Sequence, residues 1–374
     1  MPIVDRGTAF SGGAGGDHQC ATAPIIVVMP DGRWLCSLRT TKKKSDGDGH
    51  LSLIWSDDEG RSWSEPARPL ITPEIEGCRG DFRGLKMTLL EDGSLLAAIK
   101  WVDRSEPKRK LFSASDSGVQ GGRFFLSRSF DGGESWSKPG QLPPFEFDES
   151  VTGPTAPLLR LANGDLAFPI ELSKPQGDDS PSRHFAAFMY SPDEGRSWPE
   201  HAIVAHDPTR RIFYWDHRPV VLSNGNVLEL FWTFDTQEGV YLNMHASRSG
   251  DHGRTWSPIW DTGLPGQAGP PLCLRDNRIA LVYVDRTGAP AIKIRVSGDD
   301  GASWPQSSEL TLYRSEAPPS TSAGRELKEA WSEMYEFAVG LPTLAETATG
   351  DIIAVYYAGP EADQTGIEWV RIGL

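Results

Sequence analysis

At 374 residues, with 38% hydrophobic positions and 13 tryptophans, the chain can bury a large core, and its formal net charge of −14 argues against nucleic acid or an anionic membrane as partner. No apolar run is long enough to cross a bilayer, and Met1-Pro2-Ile3-Val4-Asp5-Arg6 has neither the basic nor the apolar part of a signal peptide, so a cytoplasmic protein is expected. Cys20, Cys36, Cys78 and Cys273 are scattered without a Cys-x-x-Cys pair and read as packed thiols, not a disulfide frame or metal ligands.

In chain order, an apolar run repeatedly meets a tight turn and a second apolar run follows. Pro24 to Met29, Asp31-Gly32 and Trp34 to Leu38 form the first such unit; Leu85 to Leu90, Asp92-Gly93 and Ser94 to Ile99 form the second. The third runs from Pro157 through Asn163-Gly164 to Ile170, and the fourth from Pro219 through Asn224-Gly225 to Trp232. A weaker fifth spans Pro271 to Val284 around Asp276-Asn277, and a sixth spans Pro342 to Tyr357 around Thr349-Gly350. Each reads as a β-hairpin, because Asn and Gly supply the positive φ that short hairpin turns require.

A third strand follows each hairpin, as at Leu51 to Trp55, Arg123 to Arg128 and Phe185 to Tyr190. It leads into an eight-residue box, Ser-x-Asp-x-Gly-x-x-Trp. The box occurs five times: Ser56/Asp58/Gly60/Trp63, Ser129/Asp131/Gly133/Trp136, Ser191/Asp193/Gly195/Trp198, Ser249/Asp251/Gly253/Trp256 and Ser297/Asp299/Gly301/Trp304. The Asp can bond the amides of its own turn, the Gly permits positive φ, and the Trp anchors the turn to a core. Four short antiparallel strands per unit, repeated six times, predict an all-β, six-bladed β-propeller over residues 1–374, with blade hairpins starting near residues 23, 85, 156, 218, 270 and 341. The sixth unit lacks a box; Gly366 to Ile372 supplies its third strand, and Ile3 to Phe10 is expected to close the ring as its outermost strand.

That strand order places the boxes on the lower face, as turn locks and not as a carboxylate array. The upper face collects residues just before the first strand and just after the second of each blade. Those are His18, Thr22, Arg39, Asp46, Asp48 and His50 in blade one, and Arg79, Asp81, Arg83, Lys100, Trp101 and Asp103 in blade two. Glu149, Thr152 and Glu171 come from blade three, and Tyr214, Trp215, Asp216, His217, Arg218 and Asp235 from blade four. Blade five offers Gln267, Asp285 and Arg286; blade six offers Trp331, Tyr335, Glu336, Tyr356 and Tyr357. Aromatic rings among carboxylates, arginines and histidines are the composition of a carbohydrate site. No metal-ligand cluster, phosphate loop or dinucleotide fingerprint is present, so no metal and no cofactor is expected.

The five boxes resemble the Asp boxes, or BNR repeats, of the sialidase (neuraminidase) superfamily, and the resemblance covers nearly the whole chain. It implies a six-bladed propeller and glycosidase chemistry. In that family a Phe/Tyr-Arg-Ile-Pro motif opens blade one; here the stretch is Ala21-Thr22-Ala23-Pro24, with Thr22 where the carboxylate-binding Arg would stand. Arg39 fits the Arg after the second strand, and Asp46 or Asp48 fits the acid/base Asp that follows it. The blade-four Glu is replaced by Arg218 before Pro219, with Asp216 two residues earlier, and Tyr335 falls near the family's nucleophilic Tyr. The sialidase arginine set is not matched, so the resemblance does not carry sialic acid specificity with it.

The residues therefore point to an exo-acting, sialidase-like glycoside hydrolase on a terminal sugar, acidic or neutral, that need not be sialic acid. Hydrolysis needs an acid for the leaving oxygen and an opposing group that attacks or activates water. Asp48 or Asp46 is the expected acid/base, and Asp216, Glu171 or the Tyr335/Glu336 pair the opposing group. Substrate binding is assigned to His18, Arg39, Arg79, Asp81, Arg83, Trp101, Tyr214, Trp215, His217, Arg218, Gln267 and Tyr356. Two alternatives stand beside it: a polysaccharide lyase on uronic acids, using His18, His217, Tyr214 and Arg218, and a glycan-binding propeller without turnover. Two insertions, Asp103 to Gly122 and Ser315 to Phe337, shape either the site or an interface. Leu327, Trp331 and Met334 share one helical face in the second, which predicts a short helix there.

Overall fold

The computed structural model describes residues 1–13, 18–47, 49–106, 109–113, 115–316 and 324–374. Its strands fall into six antiparallel sheets. Blade one comprises Cys20–Val28, Trp34–Thr41 and Gly49–Ser56, and blade two Gly80–Leu89, Leu95–Asp103, Arg123–Ser129 and Gly140–Gln141. Blade three has a broken inner strand, Ser150–Thr152 and Leu159–Arg160, followed by Leu166–Ser173, His184–Ser191 and Glu200–Ala205. Blade four is Ile212–Val221, Val227–Asp235, Asn243–Ser249 and Trp260–Pro265. Blade five is Gln267–Ala268 with Leu272–Cys273, then Ile279–Asp285, Ala291–Ser297 and Leu310–Arg314. Blade six is Val339–Glu346, Ile352–Glu361 and Gln364–Ile372, with Ile3–Phe10 as its outer strand, Arg6 opposite Val370. The ring closes through the N-terminal strand, as the repeat pattern requires.

Blade one departs from the four-strand expectation. Among the described residues, the segment after its box joins the blade by one bridge, Leu53 to Ala67, closes a second on itself, Ile75 to Cys78, and forms no outer strand. Pro66, Pro69 and Pro73 remove donors that a ladder would need there.

Six of the apolar clusters lie between neighbouring blades, from the Ile25/Leu35/Leu85/Phe125 cluster of blades one and two to the Ala21/Trp34/Ile353/Trp369 cluster that seals blade six on blade one. Every second strand is thus covered on both faces. Trp34–Thr41 and Val227–Asp235 are buried at every residue, which is why they read as mostly apolar stretches and not as strict apolar–polar alternation.

The boxes adopt one geometry. In the first, Ser56 Oγ donates to Asp58 Oδ1 (2.8 Å) and accepts from Gly60 N (2.8 Å), and Asp58 accepts from Ser62 N (2.9 Å) and Ser62 Oγ (2.6 Å). The Ser62 hydroxyl and amide, with Ser56, hold the Asp58 carboxyl at about 2. Each box glycine also touches the preceding blade: a Cβ on Gly133 would lie 2.7 Å from Leu35, on Gly195 2.6 Å from Leu126, and on Gly301 2.4 Å from Leu228. The boxes follow third-strand residues that pair with the starts of the second strands, Ser56 with Trp34 and Ser129 with Leu95. They therefore sit at the opposite end of each sheet from Arg39, Lys100 and Glu171.

Candidate active site

A cavity of about 370 Å³ opens at the upper end of the ring, and irregular backbone in the inner strands forms its floor. The registers slip between Thr22 and Ile25, Arg83 and Leu85, Trp215 and Arg218, and Gly340 and Thr343. At these bulges Ala23 (φ 53°), Gly84 (70°), Asp216 (52°) and Leu341 (46°) are left-handed, as is Gly153 (123°) at the break in blade three, and all five line the cavity. A bulge bends the strand and re-aims the side chains beside it. Asp216 is the acidic member of this set, and its short polar side chain is among those that tolerate the left-handed region.

Six basic side chains converge on the cavity: Arg39, Lys44, Arg83, Lys86, Lys100 and Arg218. Behind the rim, buried Asp81 accepts from Arg39 Nη2 (2.8 Å) and Arg83 Nε (3.2 Å) and fixes both guanidinium planes. Arg39 Nε has no hydrogen-bond partner among the described residues. Burial, reinforced by Arg39, lowers Arg83 to about 9. Burial also lowers Lys44, Lys86 and Lys100 to about 7, with Arg286, Arg218 and Arg83 respectively adding repulsion. Lys44 Nζ donates to the Phe337 carbonyl (2.6 Å) and meets Tyr357 Oη at 3.0 Å.

Against these cations stand two lining carboxylates. Asp216 Oδ1 pairs with Arg218 Nη2 (2.6 Å), and its Oδ2 accepts from Gln267 Nε2 (2.5 Å), which Arg286 Nη1 in turn holds at Gln267 Oε1 (2.9 Å). The Asp216 amide donates to Glu171 Oε1, tying both acids to one wall. Burial alone would raise Glu171, but His184, His217 and the Asp216 amide outweigh it and hold the carboxyl at about 2. His184 lies 3.8 Å from Glu171 Oε1, stacks on Phe213, and has no hydrogen-bond partner for either ring nitrogen among the described residues.

The remaining wall is aromatic and comes partly from the insertions. The helix Leu327–Glu333 is capped by reciprocal Glu326 and Glu329 bonds and buries Trp331. Trp331 stacks on Phe112 of the first insertion (5.3 Å between centroids) and tilts against Trp215 (6.2 Å). Phe112, Trp215, Trp232, Trp331, Tyr335 and Phe337 all line the cavity, so both insertions shape the pocket. Burial raises the Tyr335 phenol, keeping it protonated through the neutral range.

Of the expected catalytic residues, Asp216, Glu171 and Tyr335 come together in the cavity, and so do Arg39, Arg83, Trp215, Arg218 and Gln267 among the binding set. Asp48 lies outside the described residues. Asp46 does not present its carboxylate: Oδ2 accepts from Lys43 N (2.9 Å), and it is the Asp46 carbonyl that braces Arg39 and Arg83. Glu336 is exposed and turned away from the cavity. His18 is held outside by Thr40 (3.0 Å) and Arg68 (3.0 Å), and Arg79 is exposed on the rim. Asp81 acts behind the arginines and does not face the cavity. Trp101 belongs to the core between blades one and two, its Nε1 donating to the Pro73 carbonyl (3.0 Å).

Strand alternation explains the other corrections. Tyr214 points into the blade against Phe231 and His245 while Trp215 faces the cavity. Tyr356 packs on Tyr313 while Tyr357 lines the site. His217 is fully buried between the Ile170 carbonyl (3.0 Å) and Glu229 (3.3 Å). The sequence reading missed Lys44, Lys86, His184, Trp232 and Phe112. Lys86 was legible in principle, because a charged residue stands mid-strand in an inner-strand run; the others depend on loop and bulge geometry.

The sequence profile described as a BNR repeat-like domain matches residues 110–353. No curated protein matches the chain in sequence. Among solved structures, a protein of unknown function from Dyadobacter fermentans has a TM-score of 0.77 at 20% identity, covering 100% of this chain and 99% of that one. A Hadza microbial sialidase has a TM-score of 0.70 at 14% identity, covering 99% of this chain and 68% of that one. An α-L-arabinanase from Penicillium chrysogenum has a TM-score of 0.64 at 14% identity, covering 100% and 98%. At these identities the likeness is one of fold.

Proposed function

The chain belongs to the BNR repeat-like domain family, and on that premise we propose that it is an exo-acting, sialidase-like glycoside hydrolase for a terminal acidic sugar other than sialic acid. The observation that carries this reading is that six basic side chains line one aromatic-walled cavity together with the Glu171–Asp216 pair. A protein of net charge −14 that concentrates cations in its cavity selects an anionic ligand.

Arg39 and Arg83, oriented by Asp81, bind the sugar carboxylate, since planar guanidinium groups match carboxylate oxygens. Trp215 and Trp331 cover the apolar face of the ring. Glu171, held ionised, opposes the positive charge that develops at the anomeric carbon, either as nucleophile or by activating water. Lys100, with a pKa of about 7, matches the acidity required of a proton donor to the leaving oxygen at neutral pH. The sialidase and arabinanase likenesses support a glycosidic bond as target.

The register pairing of Lys100 with Arg83 also favours a second reading, β-elimination: neutral Lys100 removes the proton beside a carboxylate neutralised by Arg83, the C–O bond at the β-carbon breaks, and the resulting Lys100 ammonium returns the proton to the departing oxygen. A screen of aryl glycosides of uronic and other acidic sugars, with uronic-acid oligosaccharides in parallel, tests both. Aryl release from acidic but not neutral sugars is expected. An ultraviolet-absorbing unsaturated uronate would replace hydrolysis with elimination, and tight binding without any product would refute catalysis.

A further inference from the structure

Lys86 is unaccounted for by that mechanism. It lines the cavity, yet its ammonium has no hydrogen bond or ion pair among the described residues. Its charged neighbours leave it short of a counter-charge: Asp216 attracts it, but Arg218 repels it more strongly, and the Asp216 oxygens already bond Arg218 and Gln267. An isolated ammonium drawn out of water is costly unless something supplies the missing negative charge.

The register locates it. Arg83 pairs with Lys100 at the rim end of blade two, whereas Lys86 pairs with Ala98, two rungs nearer the box end. At strand rise this places Lys86 about 7 Å below the Arg83 level. Arg83 and Lys86 still face the same cavity because the Gly84 bulge lies between them. The two positions are thus separated by a span suited to acidic substituents on opposite edges of one sugar ring.

Resting on the assignment of the cavity to an acidic sugar, we propose that Lys86 forms a second anion subsite on the cavity floor, so that the substrate's terminal residue carries two acidic groups, a carboxylate at Arg39/Arg83 and a second carboxylate or a sulfate ester at Lys86. In an exo-acting pocket the floor receives the edge of the ring away from the leaving group, so the second group belongs to the terminal sugar and not to the aglycone.

Calorimetric titration of the full chain with glucuronate, a panel of monosulfated glucuronates and the matching carboxymethyl ethers of glucuronate tests this without requiring turnover. At least one doubly acidic probe should bind about tenfold or more tightly than glucuronate, the size of one charge-assisted hydrogen bond. Preference for a sulfated probe assigns a sulfate ester, and preference for a carboxymethyl ether a second carboxylate. Lys86→Met should bring that ratio near one, and Lys86→Arg should keep it. If glucuronate binds but no doubly acidic probe binds better, or if Lys86→Met keeps the preference, the second subsite is refuted while the acidic-sugar reading stands. Failure of every probe to bind refutes both.

Discussion

Replacing Gly133 by alanine separates the two roles of a box glycine. Gly133 has φ 93°, and an added Cβ would lie 2.7 Å from Leu35 Cδ2 of the preceding blade. Gly32, in the first hairpin turn, has almost the same backbone, φ 92°, but an added Cβ there meets nothing within 4 Å. Left-handed backbone costs a non-glycine residue about 1–2 kcal/mol, so Gly32→Ala should lose about that much. Gly133→Ala adds overpacking against a leucine whose end can move only partly, a further cost of about 1–3 kcal/mol. Urea unfolding of the two variants under identical conditions, read by tryptophan fluorescence with unchanged m-values, gives the difference directly. Equal losses would refute the claim that the box locks one blade onto the next, leaving it a local turn.

Three further outcomes follow from the cavity. Lys44, Lys86 and Lys100 lose their protons as pH rises through about 7, so an acidic sugar should bind more weakly at about pH 8.5 than at about pH 6, by about tenfold or more in calorimetry; a flat profile would contradict the burial of these lysines. Trp331→Ala removes the Phe112 stack and the Trp215 contact and should raise KM; because Trp331 is buried in that cluster, it should also lower stability by about 3 kcal/mol, whereas Trp331→Phe should raise KM with a smaller loss. Lys100→Met should cripple cleavage of glycosides with poor leaving groups and largely spare dinitrophenyl glycosides, which need no proton; equal losses on both would remove Lys100 as the donor.

The fold was legible because its determinants are local and repeated. A Ser-x-Asp-x-Gly-x-x-Trp turn closes within eight residues, and Asn163-Gly164 or Asn224-Gly225 announces its hairpin without reference to the rest of the chain. The ring closure by Ile3–Phe10 was legible too, because blade six otherwise lacked a strand. The site was legible only in part. Arg39, Arg83, Glu171, Asp216 and Arg218 stand at strand ends, where blade order alone predicts exposure to the cavity. Tyr214, His217 and Tyr356 stand there as well, but the two-residue alternation and the inner-strand bulges turn them into the blades. A one-residue slip reverses which neighbour faces the cavity, and no local signal marks where the bulge falls. Lys44, Phe112 and Trp232 converge only once distant segments meet.

On the proposed function, the reaction takes place at the Glu171–Asp216 wall and not in the boxes. The most direct test is Glu171→Gln, which keeps shape and burial and removes the charge, assayed for turnover and binding on whichever acidic-sugar glycoside the wild type cleaves. A fall in kcat of at least about a hundredfold with ligand affinity retained is expected. Turnover within a few-fold of wild type would contradict it and move the reaction away from this wall.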